Sequence, residues 1–138
     1  MARLLLLLGL SALFNVTACA VEPHARSDQW TVNEFLRASD VVAHIRILDT
    51  HPTNEVLDPS TGKAGYKTFQ ITAKVLEGFK GTPSGTIVFS VTQEQPSETP
   101  GSGEYIVGLH STSGGLDFEA PAWVQATPEL IQFARVRE

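Results

Sequence analysis

Cysteine is almost missing from this sequence: its 138 residues contain one, Cys19. No disulfide can form within the chain, so a hydrophobic core has to hold the fold. A single domain of this length buries about two-thirds of its unfolded surface and does not need a covalent staple. Long apolar runs are missing too. Residues 4–14, LLLLLGLSALF, form a run of 11, against the roughly 20 that a membrane-spanning helix requires. Basic residues are scarce, with 10 Lys and Arg against 15 Asp and Glu, a formal charge of −5. That balance argues against nucleic acid or an anionic lipid surface as the target. There is no internal repeat, no heptad pattern and no glycine-rich phosphate loop: Gly101, Gly103, Gly114 and Gly115 precede no lysine on a helix.

What is present begins with a leader. Arg3 supplies one positive charge, the apolar run follows, and small residues arrive at Thr17 and Ala18. That order fits a secretory signal cut after a small side chain. Val16-Thr17-Ala18-Cys19 resembles the lipobox of bacterial lipoproteins: an aliphatic residue, two small ones, then cysteine. The resemblance implies that the Cys19 thiol, the readily alkylated nucleophile, takes a diacylglycerol and that residues 1–18 are removed. Ala20 stands where an aspartate would mark inner-membrane retention, which implies the outer membrane, facing the periplasm. The alternative is an ordinary secreted protein cut after Ala18 or Ala20. Cleavage before Cys19 removes Arg3 and no other charge, leaving 120 of the 138 residues and a net charge of −6. Each buried acyl methylene contributes about 0.8 kcal/mol, so two or three chains hold a protein on a bilayer.

Residues 19–29 are polar and contain Pro23, and are expected to tether the lipid to a domain over 30–138. Thr31 and Glu34 match a capping box, with Trp30 and Phe35 as its hydrophobic staple, predicting a short helix over 32–38. Period-two alternation then predicts strands at 40–50, 66–78, 86–92 and 104–111. Their inward sets are Ala43, Ile45 and Ile47; Phe69, Ile71, Ala73 and Val75; Ile87, Phe89 and Val91; and Tyr105, Val107 and Leu109. Gly108 predicts a bulge or a close approach by another segment. A fifth short strand is expected in 114–124. Residues 51–65 predict an exposed loop or hairpin tip, 79–85 a turn, and 93–103 a loop without periodicity. Thr127-Pro128-Glu129 opens a terminal helix over about 128–136. The expectation is a mainly β fold, a small five-stranded barrel with a short helix at its N-terminal end and another at its C-terminal end.

Ser39-Asp40-Val41-Val42, Val75-Leu76-Glu77-Gly78 with Lys80-Gly81, and Gly103-Glu104-Tyr105-Ile106-Val107 resemble the strand starts and turns of the netrin-like and tissue-inhibitor-of-metalloproteinases-like group, over roughly residues 38–111. The resemblance implies an OB-like barrel. Inhibition of metalloproteinases does not carry over, because it requires a free amino-terminal cysteine on the protease's zinc, which a lipidated Cys19 could not supply. The group's disulfides are missing as well.

Chemistry-bearing clusters are few. His24, His44, His51 and His110 show no zinc-site spacing, and His44 falls opposite the apolar set, as a solvated surface residue. His110 beside Ser111 and Ser113 lacks the strand–turn–helix context of a nucleophile. Asp117 and Glu119 fit the solubilising of an edge strand better than a catalytic pair. Trp30 and Trp123 either stack on sugars or pack under the terminal helices. No catalytic residue, metal ligand or cofactor is assigned. The function expected is a membrane-anchored, non-catalytic protein-binding or scaffolding module that meets its partner through loops 51–65 and 93–103. The alternatives are a glycan- or small-molecule-binding accessory protein and, least supported, an enzyme.

Overall fold

The computed structural model of the chain describes residues 23–95, 100–112 and 115–137, with the backbone path alone for 23–26 and 115–122. The leader, Cys19 and Ser113 lie outside the described residues, as do residues 96–99 of the 93–103 loop. The elements in order are helix α1 (Pro23–Ala38), strands β1 (Val41–Leu57), β2 (Ala64–Lys80), β3 (Thr86–Glu94), β4 (Glu104–Thr112) and β5 (Gly115–Gln125), and helix α2 (Pro128–Arg135). The fold is mainly β: one five-stranded sheet with two helices.

The strands pair in the order β1-β2-β3-β5-β4, and β4 pairs back onto β1. Four of these links are antiparallel. The fifth, β3 to β5, is parallel and consists of Phe89↔Leu116 and Ser90↔Asp117. The cycle of pairings is thus complete but thinly joined at that seam. Asp117 pairs with His110 of β4 as well as with Ser90, so the backbone there is not the sheet edge expected.

Alternation sorts the apolar residues into two cores. Inside the curved sheet lie Ala43, Ile45, Ile47, Phe69, Ile71, Ala73, Phe89, Val91, Val107 and Leu109, nearly the inward sets read from the alternation. Between sheet and helices lie Val42, Phe79, Ile106 and Val124 against Val32 and Phe35 of α1 and Leu130 and Ala134 of α2. The start of β1 therefore has both faces covered, which period-two reasoning with one wet face misses. Phe79, assigned to a turn, instead belongs to β2, where it is 1% exposed in the helix-side core.

Helix α1 is twice the expected length. Proline at a first helical position costs nothing, because its missing N–H has no partner there, and residues 24–31 contain no breaker. Residues 23–29, expected to be tether, are helix, and a domain boundary at 30 would cut through it. Thr31 is consequently not a cap. Its hydroxyl donates to the Ser27 carbonyl at 3.0 Å, the usual outlet for a mid-helix threonine. Glu34 bonds Arg37 instead of the helix start, and Trp30 staples nothing, being 65% exposed. The cap of α2 is as expected: Thr127 accepts from the Leu130 N–H at 3.2 Å, with Pro128 behind it. Gly108 meets both expectations. The β4–β5 register shifts between Val107 and Leu109, and a Cβ at Gly108 would stand 2.4 Å from Ser39 Oγ and 2.8 Å from the Phe35 ring. Only glycine lets α1 lie this close to β4.

Candidate functional site

The loop expected at 51–65 is mostly strand. β1 runs on to Leu57 and β2 begins at Ala64, so the two form a long antiparallel arm closed by residues 58–63. β4 leaves β1 at Arg46, and the Thr50 hydroxyl donates to the Pro100 carbonyl at 3.0 Å. Beyond that point β1 pairs with β2 alone, and β3 extends the arm on the other side as far as Glu94.

The tip is tightly built. The Asp58 carboxylate accepts from the Ser60 N–H at 2.8 Å and the Ser60 hydroxyl at 2.6 Å, an Asx turn. These bonds hold the Asp58 carboxyl below its ordinary range, the hydroxyl contributing most. The Asp58 N–H reaches the Lys63 carbonyl at 2.7 Å, and the Gly62 N–H reaches the Asp58 carbonyl at 2.8 Å. Gly62 takes a φ of 67°, which glycine alone adopts without strain.

Behind the tip, Val56 stands directly across from Tyr66, and Tyr66 across from Glu94. Val56, Leu57 and Tyr66 are about half exposed, at 55%, 57% and 48%. They border an open cleft of about 830 Å³ whose other walls include Asp58, Lys63 and Gln95. Three neighbouring exposed apolar side chains on a paired-strand arm, rimmed by charge, have the anatomy of a recognition surface. Of the two loops expected to bind, 51–65 forms this arm, and residues 93–95 of the other run beside Gly65, Tyr66 and Lys67, just behind its tip.

A second polar group sits at the opposite end of the sheet. His44 is 8% exposed rather than solvated; its Nε2 lies 2.9 Å from Glu104 Oε2. Arg46, directly across from Glu104 in the β1–β4 register, donates to the other oxygen from Nε at 3.1 Å. Arg46 foremost, and then His44, hold the Glu104 carboxyl below its ordinary value. Arg135 of α2 grips Glu77 with two bonds of 2.7 Å and lowers its carboxyl likewise. Sequence reading missed these contacts because the partners lie 58 or 60 residues apart. A correct β1–β4 register would have exposed the Arg46–Glu104 pair.

His110 Nδ1 lies 3.7 Å from Asp40, whose carboxylate also accepts from the Ser111 N–H at 3.0 Å. Trp123 packs neither under a helix nor in the open: its ring lies 5.1 Å from that of Tyr105 on the sheet's inner cluster. Among the described residues, no group of three or more His, Cys, Asp or Glu side chains could hold a metal ion, and no helix is long and apolar enough to cross a membrane. The chain gives no significant match to any protein family model, curated protein or solved structure.

Proposed function

We propose that this chain is a lipid-anchored protein of the bacterial envelope, tethered through Cys19 at the outer membrane's periplasmic face, whose OB-like barrel presents the β1–β2 arm to a protein partner without catalysing a reaction. The anchor reading rests on the leader and on Val16-Thr17-Ala18-Cys19. The barrel reading is supported by the strand order and its parallel β3–β5 link, which suit a five-stranded Greek-key barrel of the netrin-like kind. The binding reading is carried by one observation: a hydrogen-bonded arm that extends past β4 and exposes Val56, Leu57 and Tyr66 beside a cleft. Glycan binding at Trp123 has less support, because its ring packs on Tyr105 instead of standing bare as a sugar platform.

A photo-crosslinking amino acid placed at Leu57 or Tyr66 in living cells, with Glu129 on α2 as the control position, tests the binding reading. One discrete protein adduct is expected from both arm positions and none from position 129. Adducts that are absent, or equal at all three positions, would reject the arm as the binding surface. Palmitate labelling that vanishes in Cys19→Ser is the expected result for the anchor.

A further inference from the structure

The outer side of the two helices carries a surface that the arm does not account for. On α1, Val32 and Phe35 face the core, so Trp30 falls on the opposite side of the helix, 65% exposed. Indole is the largest side chain available, and an exposed one is informative when it belongs to a larger apolar patch. Trp30 is not alone. With Gln29, Asn33, Phe133 and Arg137 it lines a shallow hollow of about 360 Å³ between α1 and α2. The Arg137 guanidinium lies 4.2 Å above the Phe133 ring, and Val136 beside it is 69% exposed. Tryptophan, a phenyl ring and an arginine on one face make an amphipathic set, apolar bodies with polar ends.

Chain length says what this set meets. Pro23, the first residue of α1, is four positions after Cys19. Fully extended, these four steps of chain span at most about 14 Å. Trp30 lies seven residues further on, about 10 Å along the helix. A lipid on Cys19 therefore leaves Trp30 within reach of the same bilayer's headgroup layer, the depth at which tryptophan concentrates. Strand β1 starts under the helices, where Val42 is buried, and its far end, Leu57, belongs to the binding arm.

We infer that the Trp30 face of α1 and α2 rests in the headgroup region of the phospholipid bilayer to which the chain is anchored, turning the β1–β2 arm away from the membrane. This inference rests on the lipidation of Cys19 proposed above. Arg137 meets lipid phosphates while its stem stays on Phe133. The net negative charge of the chain means that this contact is local and secondary to the acyl chains.

The test uses the full chain, processed in cells and reconstituted into phosphatidylethanolamine–phosphatidylglycerol vesicles whose acyl chains are brominated close to the headgroup. Trp30→Phe, an exposed position that leaves the core intact, isolates the emission of Trp123. Subtracting it from the parent spectrum gives Trp30. The expected result is a blue-shifted Trp30 emission that brominated lipid largely quenches, and Trp123 emission that it does not. Palmitate-labelled protein whose Trp30 stays red-shifted and unquenched would overturn the inference while leaving the anchor standing. Protein without label on Cys19 would overturn the anchor, and the inference with it.

Discussion

His44 shows how one residue escapes pattern reading. It alternates out of phase with Ala43, Ile45 and Ile47, and with a single buried face that phase means water. Here the second face is covered, so the ring is enclosed and needs a partner, which Glu104 provides at 2.9 Å. The Glu104 carboxyl is held below its ordinary value of 4.5 in the folded chain. Its contribution is therefore present above the unfolded value and is lost as pH falls through the lower, folded one. Glu104→Gln should flatten the acid side of a plot of melting temperature against pH, below about pH 4.5. Unchanged acid sensitivity would mean that other carboxylates dominate it. Gly108 is the other informative residue. Ala at this position would press its methyl against Ser39 Oγ and the Phe35 ring, and we expect a loss of about 1–3 kcal/mol in urea unfolding. A neutral Gly108→Ala would mean that α1 can lift away freely.

At the scale of elements, α2 was legible to within a residue, because its cap chemistry is local: Thr127, Pro128 and Glu129 act on the N–H groups beside them. Thr127→Ala should cost about 1 kcal/mol, read by chemical denaturation. The start of α1 misled for the same reason. Thr31 and Glu34 satisfy a local pattern that an upstream extension of the helix leaves without a role. β2 was extended beyond its alternation by tertiary contact. Phe79 follows Gly78 in a segment full of turn residues, yet it is drawn into the layer under both helices. Truncating it, Phe79→Ala, should cost about 3–5 kcal/mol, whereas truncating the exposed Leu57 should leave stability within about 0.5 kcal/mol. Comparable losses at the two sites would contradict the assignment of core and arm.

Across the whole molecule the sheet is unevenly joined. β1 is held on both sides over Val42–Arg46, while β3 and β5 meet through two pairs. Native-state hydrogen exchange should follow that order, with amides of Val42–Ile45 slowest and those at the β3–β5 seam and the outer arm markedly faster. Uniform protection around the sheet would contradict it. The helices close one end of this sheet and the arm projects from the other, so any surface contact made by α1 leaves the arm free.

The sequence alone carried what depends on near neighbours. Alternation sorted the inner core, cap chemistry started α2, and the tight space at Gly108 was legible in an otherwise continuous strand. Tertiary structure decided what depends on distant partners: which strands meet at the thin seam, that a second core covers the outer face of β1, that His44 and Glu104 share a bond, and that the 51–65 segment is an arm. The reason is physical. Period and propensity report the environment a residue prefers over a few positions, whereas burial of both faces and pairing across some 60 residues exist only once the chain has closed on itself.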